Sequence, residues 1–488
     1  MPERSYGLFI HGKDTPSASG HILQVEDPAT GELVARAPDA SGDEVAAAVQ
    51  SARQAFPIWA AASQRQRATI LNKVAALVRD NFDRLVSIEV SETGRPIREV
   101  QTVDVRDTAD CFDYYASVAR LIKGETIPLD SPYFDYTLME PVGVVGQIVP
   151  WNFPLNLASW KVAPALATGN CVVLKPAALT PSSAYELGKI AVEAGLPEGV
   201  LNVVSGGAAT GRALVEHPEV DMIAFTGSVQ TGVAVAEVAA RTGKRVALEL
   251  GGKSAVIVFD DCSFDAAVSS ALEAAFFANG ENCCAGSRLL VSSRMQDKFV
   301  GALAERAGGL RVGAPTSYET QVGCLISMDH FRRVLSYLDS AIRDGGKIIS
   351  GGGVPKKEEC VGRPFLAPTI VVGVPNRSPI VQNEVFGPVL VVQTFDSDDD
   401  AVFLANSTQY DLAAGIWTND ISRAHRIARR LRAGSVWVNT FNRIFNDAPF
   451  GGLGGSGYSR DLGTQAMSQY VNIKNICICY EPGSDEWY

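Results

Sequence analysis

Short apolar runs alternate with longer amphipathic segments along the first half of the chain, and this alternation constrains the fold more than any other feature. The runs are β-branched and bounded by Gly, Pro or Asn, which is typical of buried parallel strands. They cover residues 142–149, 171–174, 200–204 and 222–225. Helices are predicted over residues 41–56, 64–86, 102–121 and 181–195. Strands that alternate with helices predict a doubly wound α/β sheet.

A second α/β unit is predicted after Gly251, with strands over residues 256–259, 289–291, 369–372, 390–395 and 436–439. Two further segments, residues 129–140 and 471–480, alternate between polar and apolar side chains. Exposed alternating strands tend to pair with other strand edges, so we expect them to add to the sheet of a neighbouring subunit. An ordinary surface hairpin is the alternative.

Composition excludes several classes of protein. The 488 residues are 46% hydrophobic, which is enough to bury a large core, and the net charge of −11 disfavours general nucleic-acid binding. The nine cysteines form no CxxC pair, and no HExxH pattern occurs, so free thiols in a reducing compartment are predicted and no metal site. No secretion signal or membrane span is recognised, and a cytoplasmic location is expected.

The segment FFANGENCCAGSR, residues 276–288, places two adjacent cysteines after a Gly-Glu-Asn loop and before a predicted strand. A partly ionised thiol is the most nucleophilic side chain near neutral pH, so a cysteine there could attack an electrophilic carbon. Simple packing of a buried cysteine pair is the alternative interpretation.

Two other motifs carry groups suited to acyl chemistry. Glu249 ends an apolar run in LELGGK, where desolvation would raise its pKa towards the range of a general base; a surface glutamate at a strand end is the alternative. Asn152 lies between two prolines in PWNFP, and its amide could serve an oxyanion hole or cap the helix that follows.

A third pair of motifs is suited to a nucleotide. Lys175 in LKP ends a predicted strand, at the edge where doubly wound sheets bind ligands. FTGSVQTG, residues 225–232, joins a strand to a helix through a Gly-Ser turn whose N–H groups could receive a pyrophosphate. A GxxxxG spacing is common, so this turn alone indicates little.

Together the motifs closely resemble the hydrolytic, NAD(P)-dependent branch of the aldehyde dehydrogenase superfamily. The resemblance runs from about residue 9 to residue 480 and includes KVAPALATGN, NEVFGPV and PFGG. It implies a Rossmann-type cofactor domain over residues 1–122 and 142–251 and a catalytic domain over 252–455. It also implies an oligomerisation β-arm and C-terminal segment over 123–141 and 456–488, and a homodimer or homotetramer.

The resemblance also assigns the catalytic roles. Cys283, three residues after Gly280, matches the nucleophile, Asn152 matches the oxyanion hole together with the N–H of Cys283, and Glu249 matches the base for the deacylating water. The implied reaction oxidises an aldehyde to a carboxylic acid, and Glu249 favours water over CoA as the acyl acceptor. Glu281 stands where the family usually has glutamine, and its charge is expected to raise the pKa of the thiol.

NAD or NADP is the implied cofactor. Residues assigned to it by the resemblance are Ile148, Trp151, Lys175, Ala178, Gly227, Ser228, Gly232, Leu250, Glu384 and Phe386. At the position of Ala178, NAD-preferring members often carry a glutamate that holds both ribose hydroxyls. Its absence removes repulsion against a 2′-phosphate, so we expect NADP to be tolerated.

The expected substrate tunnel is lined by Asp104, Asp107, Phe153, Trp160, Arg443 and Phe450. Asp104 and Asp107 lie one helical turn apart, and this is similar to aminoaldehyde and betaine-aldehyde dehydrogenases, whose acidic pair attracts a cationic tail. Arg443 would instead favour an anionic tail, and all three charges could be solvated or paired. An aminoaldehyde is the favoured interpretation. Neutral or acidic aldehydes, and a non-catalytic relative, are the alternatives.

Overall fold

The computed structural model describes residues 3–130 and 132–481. Its α-helices, labelled in chain order, are α1 Gly42–Ala61, α2 Gln64–Asp80, α3 Phe82–Thr93, α4 Ile97–Glu99, α5 Val105–Val118, α6 Pro154–Thr168, α7 Ser182–Glu193, α8 Ala208–Glu216, α9 Val229–Arg241, α10 Phe264–Phe276, α11 Gln296–Gly308, α12 Met328–Arg343, α13 Pro379–Gln382, α14 Asp398–Ala405, α15 Ile421–Ala428 and α16 Gly463–Gln469. Its strands are β1 Arg4–Ser5, β2 Leu8–Ile10, β3 Lys13–Thr15, β4 Ile22–Glu26, β5 Leu33–Pro38, β6 Thr126–Ile127, β7 Tyr133–Pro141, β8 Val144–Ile148, β9 Cys171–Lys175, β10 Leu201–Val203, β11 Met222–Thr226, β12 Arg245–Glu249, β13 Ala255–Val258, β14 Arg288–Ser292, β15 Lys347–Ser350, β16 Thr369–Val372, β17 Val389–Phe395, β18 Tyr410–Asp411, β19 Ala413–Trp417, β20 Ser435–Val438, β21 Leu453–Gly454 and β22 Val471–Cys479.

The first large sheet has the strand order β12-β11-β8-β9-β10-β2-β3. Strands β8 to β12 run parallel, because helices connect them, whereas β2 and β3 add an antiparallel edge. Asn152 follows β8, and Lys175 is the last residue of β9. Because the two strands are parallel, their carboxyl ends bring both residues to one edge of this sheet.

The second large sheet has the order β15-β16-β17-β14-β13-β19-β20 and is parallel except for the pairing of β15 with β16. The segment that carries Cys283 connects α10 to β14, near the middle of this sheet. A doubly wound α/β architecture in two sheets is therefore present, as the sequence pattern predicted.

The two alternating segments pair with each other. Strand β22 lies antiparallel to β7 over its whole length, from Val471 opposite Pro141 to Cys479 opposite Tyr133, and β6 lies on the other side of β7. Strand β22 forms one edge of this three-stranded sheet. Addition to a neighbouring subunit, and the limits of the three parts of the chain, stay predictions.

Two predicted helices differ from the structure. The helix predicted over residues 64–86 is wrong, because Asn81 leaves helical geometry (φ −95°, ψ 16°) and its amide binds the carbonyl of Leu77. The helix predicted over 102–121 begins in a π-helical stretch, Val100–Asp104, and ends in a 3₁₀ turn. Strands β15 and β19 were not predicted. Within residues 3–130 and 132–481, no helix has the length and apolar character needed to cross a bilayer.

Candidate active site

The loop that carries the two cysteines has an unusual backbone. Ala278 and Asn279 adopt positive φ angles of 53° and 58°, which costs a residue other than glycine roughly 1–2 kcal/mol. The Asn279 side chain holds the loop by accepting from the N–H of Gly323 and donating to the carbonyl of Cys324, both at 2.7 Å. At Gly280 a Cβ atom would lie 2.2 Å from the carbonyl oxygen of Gly387, so only glycine allows this approach.

Cys283 lies at the junction of two cavities, of about 680 Å³ and about 250 Å³, and lines both. Its neighbour Cys284 is 0% exposed, and the Cys284 thiol donates to the side-chain oxygens of Asn282 and Asn442 at 3.3 and 3.1 Å. The accessible thiol of the pair is therefore that of Cys283.

The Cys283 thiol has a raised pKa in this structure. The adjacent Cys284 thiol contributes most, followed by burial and the charge of Glu384. Glu281 has other partners: its carboxylate accepts from the N–H of Ile326 at 2.9 Å and lies 3.7 Å from the ring of His330. The carboxylate that raises the pKa of the Cys283 thiol is therefore that of Glu384, whereas Glu281 was expected. Formation of the thiolate requires a proton acceptor or a favourable charge.

Asn152 is fixed against this loop. Its side-chain amide donates to the carbonyl of Glu281 at 2.9 Å, and the residue is buried. Helix α6 begins after Phe153, and no side chain caps it within the described residues. The amide of Asn152 therefore contacts the cysteine loop and is not the cap of α6.

Glu249 ends β12 and is only 4% exposed, so it is not a surface glutamate. Its carboxylate accepts from the hydroxyl of Ser459 at 2.8 Å and from the N–H of Gly452 at 3.2 Å. Burial and the nearby Asp461 raise its pKa well above the usual range, while Lys161, 3.0 Å from Asp461, opposes this effect. A buried carboxyl with a raised pKa is suited to accept a proton near neutral pH.

The smaller cavity combines features that suit a nucleotide. Gly227 and Ser228 line it at the start of α9, where N–H groups and the helix dipole favour a phosphate. Glu384 also lines it, and its carboxylate accepts from the N–H of Gly252 at 3.1 Å. Burial raises the pKa of Glu384 to about 7. The aromatic wall of the cavity is formed by Trp151 and Phe386, whose ring centroids lie 5.2 Å apart.

Four predicted cofactor residues lie outside the lining of this cavity, as described for residues 3–130 and 132–481. Gly232 acts indirectly, since a Cβ there would lie 2.4 Å from Leu250, which does line the cavity. Lys175 is buried beside Ile148 and its ammonium donates to the carbonyl of Pro176 at 3.0 Å. Burial lowers the pKa of Lys175 to about 8. Ala178 is half-buried and precedes Leu179, which lines the cavity.

The larger cavity has a predominantly acidic and aromatic lining. Of the predicted tunnel residues it contains Asp107, Phe153, Trp160 and Arg443. Burial raises the pKa of Asp107 to about 7, and the charges of Asp104 and Asp110 add to the effect. This cavity meets the smaller one at Cys283, so a molecule in each would meet at the thiol.

Comparison with known proteins identifies the family of this chain. The aldehyde dehydrogenase family matches residues 15–476. The chain belongs to the aldehyde dehydrogenase family. Betaine aldehyde dehydrogenase of Vibrio vulnificus is 41% identical to it over 470 residues, which cover 96% of this chain and 97% of that protein.

Solved structures of other family members superpose closely on this aldehyde dehydrogenase. PnpE from Pseudomonas sp. WBC-3 is 39% identical, with 99% of each chain covered and a TM-score of 0.97. The NAD⁺ complex of an aldehyde dehydrogenase from Bacillus cereus is 38% identical, covers 98% of this chain and 97% of that one, and has a TM-score of 0.95. These matches confirm the predicted fold and the predicted class of NAD(P)-dependent enzyme.

Two residues of the predicted tunnel lie elsewhere in this aldehyde dehydrogenase. Asp104 does not face the larger cavity: its side chain is 0% exposed and pairs with Arg95 at 2.6 Å. Phe450 lies behind Trp160, with ring centroids 5.6 Å apart, and is absent from the lining of that cavity in the described part of the chain. The charge of Arg443 is paired too, with Glu273 at 3.0 Å.

Several lining residues were missed by sequence reasoning. Those of the larger cavity include Asp110, Asp113, Tyr114, Asn156, Phe277, Asn442 and Asp447. Those of the smaller cavity include Leu179, Thr226, Ile326, Ser327, His330 and Arg333. His330 packs edge-on to Trp151, and its Nε2 lies 2.5 Å from the carbonyl of Phe386. The only available signal was the short spacing of Asp107, Asp110 and Asp113 on one helix.

Proposed function

We propose that this aldehyde dehydrogenase oxidises an aldehyde to the carboxylic acid through a thioester on Cys283, with NAD⁺ or NADP⁺ and water. The observation that carries the proposal is the position of Cys283, which lines both the acidic, aromatic cavity and the nucleotide-type cavity. A second supporting observation is the hydrogen bond of Asn152 to the carbonyl of Glu281, which places an amide donor at the cysteine loop.

The first step begins with loss of the Cys283 thiol proton to solvent in the cavity, and the thiolate then attacks the aldehyde carbon to form a thiohemiacetal. The negative charge that develops on the aldehyde oxygen is stabilised by the amide of Asn152 and the N–H of Cys283. The hydride that leaves the thiohemiacetal carbon requires an acceptor, which a nicotinamide dinucleotide would supply if its nicotinamide lay in the smaller cavity. Glu384, Ser228 and the Trp151–Phe386 wall are the groups that would hold it there.

The second step is hydrolysis of the thioester. Glu249 takes a proton from water, the water oxygen bonds to the acyl carbon, and the carbon–sulfur bond breaks to release the acid. For this, the carboxylate must exchange its hydrogen bonds to Ser459 and Gly452 for one to a water beside Cys283. Its raised pKa suits this role, and a base at this position favours water over CoA as the acceptor.

Both cofactors are proposed to be accepted. The half-buried Ala178 presents no carboxylate to a 2′-phosphate, so the repulsion that would exclude NADP is missing. The buried ammonium of Lys175, three residues earlier, is a cation available on the same strand end.

An aminoaldehyde is the proposed substrate class. Asp107 and Asp447 line the larger cavity together with the rings of Tyr114 and Trp160, and carboxylates with aromatic rings attract a cation. The positive charge of Arg443, which would favour an acidic aldehyde, is paired with Glu273. A neutral aromatic aldehyde is the second candidate, favoured by the rings of Phe153 and Phe277, which stack with centroids 6.2 Å apart.

The test is formation of acid and reduced cofactor, without CoA, from a panel of amino, acidic, aromatic and short aliphatic aldehydes with each cofactor. The wild-type enzyme should form both products in equal amounts, and Cys283→Ala should form none. Cys284→Ala is the matched control, because it removes a buried neighbouring thiol and should keep activity. A folded wild type that is inert towards the whole panel would support a non-catalytic protein, and a requirement for CoA would support acyl transfer.

A homo-oligomer is also proposed. Strand β22 forms the edge of its sheet and carries the exposed side chains of Ile473 and Ile478. Such an edge is suited to pair with another subunit, and light scattering would distinguish a dimer or tetramer from a monomer.

A further inference from the structure

A fully buried arginine lies beneath the candidate active site. Arg95 follows α3 at a turn through Gly94, and its side chain is 0% exposed. Burial of a guanidinium is unfavourable unless the charge is paired and hydrogen-bonded. The positions of its partners therefore indicate what the residue is held to do.

Arg95 has partners in three segments: Asp104, the PWNFP loop and the segment that leads to the cysteine loop. One terminal nitrogen, Nη1, lies 2.6 Å from the carboxylate of Asp104 and donates to the main-chain carbonyl of Asn152 at 3.2 Å. The guanidinium carbon lies 4.1 Å from the ring centroid of Phe153 and 5.8 Å from that of Phe277. Phe153 and Phe277 both line the larger cavity beside Cys283.

The same charge also faces the cysteine loop. Burial raises the pKa of Glu99 to about 7, and the charge of Arg95 opposes this increase. The Glu99 carboxylate accepts from the N–H of Ala278, the first residue of the loop with a positive φ. Burial also raises the pKa of Glu281, and the N–H of Ile326 and the charge of Arg95 oppose the increase. The main-chain carbonyl of Glu281 receives the amide of Asn152. One cation thus holds residues on both sides of the oxyanion position.

We infer that Arg95 is a positioning residue that sets the place of the Asn152 amide and of the Phe153–Phe277 wall relative to the Cys283 thiol. This inference rests on the proposed aldehyde oxidation. A misplacement of about 1 Å at such a site lowers the rate on the order of 10²-fold, because the attacking and stabilising groups no longer meet the substrate together. Within the described residues, Arg95 has no hydrogen bond, ion pair or ring contact to Gly227, Ser228 or Glu384, which would hold the cofactor, so we expect cofactor binding to be kept without Arg95.

The test compares Arg95→Met/Asp104→Leu, Arg95→Lys and Arg67→Met with the wild type. The double variant removes both charges, because Arg95→Met alone would leave Asp104 buried without a partner and could prevent folding. Arg67 is the matched control: it is a buried arginine bound to the carbonyls of Ala167 and Ala62, and it lines neither cavity in the described residues. The measurements are melting temperature, Kd for NAD⁺, and kcat and KM for a small and a bulky aldehyde.

The double variant should fold and keep its Kd for NAD⁺, whereas kcat falls about 10²-fold and discrimination between the two aldehydes weakens. Arg95→Lys, which keeps a positive charge, should have a higher kcat than the double variant. Arg67→Met should have the kcat of the wild type. Should the double variant not fold, the inference stands or falls on Arg95→Lys: a lowered kcat with unchanged Kd supports it, and wild-type kinetics overturn it. A decrease in affinity for NAD⁺ as large as the decrease in kcat would also overturn it. An inactive wild type would instead overturn the proposed function.

Discussion

The side-chain amide of Asn152 donates a hydrogen bond of 2.9 Å to the carbonyl of Glu281, two residues before the Cys283 thiol. An amide nitrogen carries two N–H groups, so the second can be offered to a developing oxyanion without loss of this contact. The hydrogen bond therefore orients the donor before substrate binds, which is the condition for electrostatic stabilisation of a transition state.

Replacing the donor tests this role. Asn152→Ala should lower kcat/KM for an aldehyde about 10²- to 10³-fold, the usual cost of losing one oxyanion donor, while Kd for NAD⁺ is kept. Asn156→Ala is the control, because Asn156 is another buried asparagine, and it lines the larger cavity beside Cys283. Stopped-flow absorbance of reduced cofactor gives the rate. Equal effects of the two substitutions would argue against an oxyanion hole at Asn152.

Loss of the base should separate the two half-reactions. Glu249→Gln is expected to release one equivalent of reduced cofactor per site in a burst and then to stall, because the thioester is no longer hydrolysed. In the wild type, the hydrolysis rate should increase with pH through the raised pKa of Glu249, since only the ionised carboxylate accepts a proton. Rapid-quench measurement of acid and reduced cofactor checks both. A variant with wild-type steady-state turnover would contradict this assignment.

The charge of Asp107 predicts a pH-dependent preference for cationic substrates. Its pKa is raised to about 7 by burial and by Asp104 and Asp110, so the carboxylate ionises as the pH increases through that value. The KM of an aminoaldehyde should therefore decrease between about pH 6 and 8, whereas the KM of propanal stays constant.

Asp107→Asn should abolish this pH dependence and reduce the preference for the aminoaldehyde roughly tenfold, equivalent to about 1.4 kcal/mol. Asp113→Asn is the control, because Asp113 lines the same cavity but is paired with Arg79 at 2.6 Å. A flat profile in the wild type, or the same loss in both variants, would remove the support for an aminoaldehyde.

Cofactor choice can be tested at one position. Ala178→Glu should lower kcat/KM for NADP⁺ relative to NAD⁺ by about tenfold or more, because a carboxylate would face the 2′-phosphate. Ala178→Gln has the same shape without the charge and should change the ratio little. Initial rates with both cofactors give the ratio. A wild type that already prefers NAD⁺ more than thousandfold would refute the expected tolerance of NADP⁺.

Local sequence signals predicted the parallel strands well, because short β-branched runs between turn residues have few other uses in an α/β chain. They placed the end of one helix wrongly. Asn81 interrupts the helix predicted over residues 64–86 by leaving helical geometry, and both its backbone N–H and its side-chain amide donate to the carbonyl of Leu77. The apolar periodicity of residues 64–86 does not indicate this interruption.

The spacing of residues along a helix also led to one wrong prediction, that Asp104 lines the substrate tunnel. Asp104 ends the π-helical stretch Val100–Asp104, whereas Asp107 lies in α5, so regular α-helical spacing does not place their side chains on one face. Asp104 is buried against Arg95, while Asp107 lines the cavity. The partner of Asp104 is nine residues earlier, across a turn, so helical spacing could not reveal it.

The central claim is that the acyl group is carried by Cys283. Peptide mass spectrometry of Glu249→Gln, quenched during turnover with an aldehyde and NAD⁺, tests it most directly. The claim predicts an acyl adduct on Cys283 in Glu249→Gln. The adduct should be absent when Cys283→Ala is added to this variant and should persist when Cys284→Ala is added. An adduct on Cys284, or aldehyde oxidation with no acylated cysteine at any quench time, would contradict it.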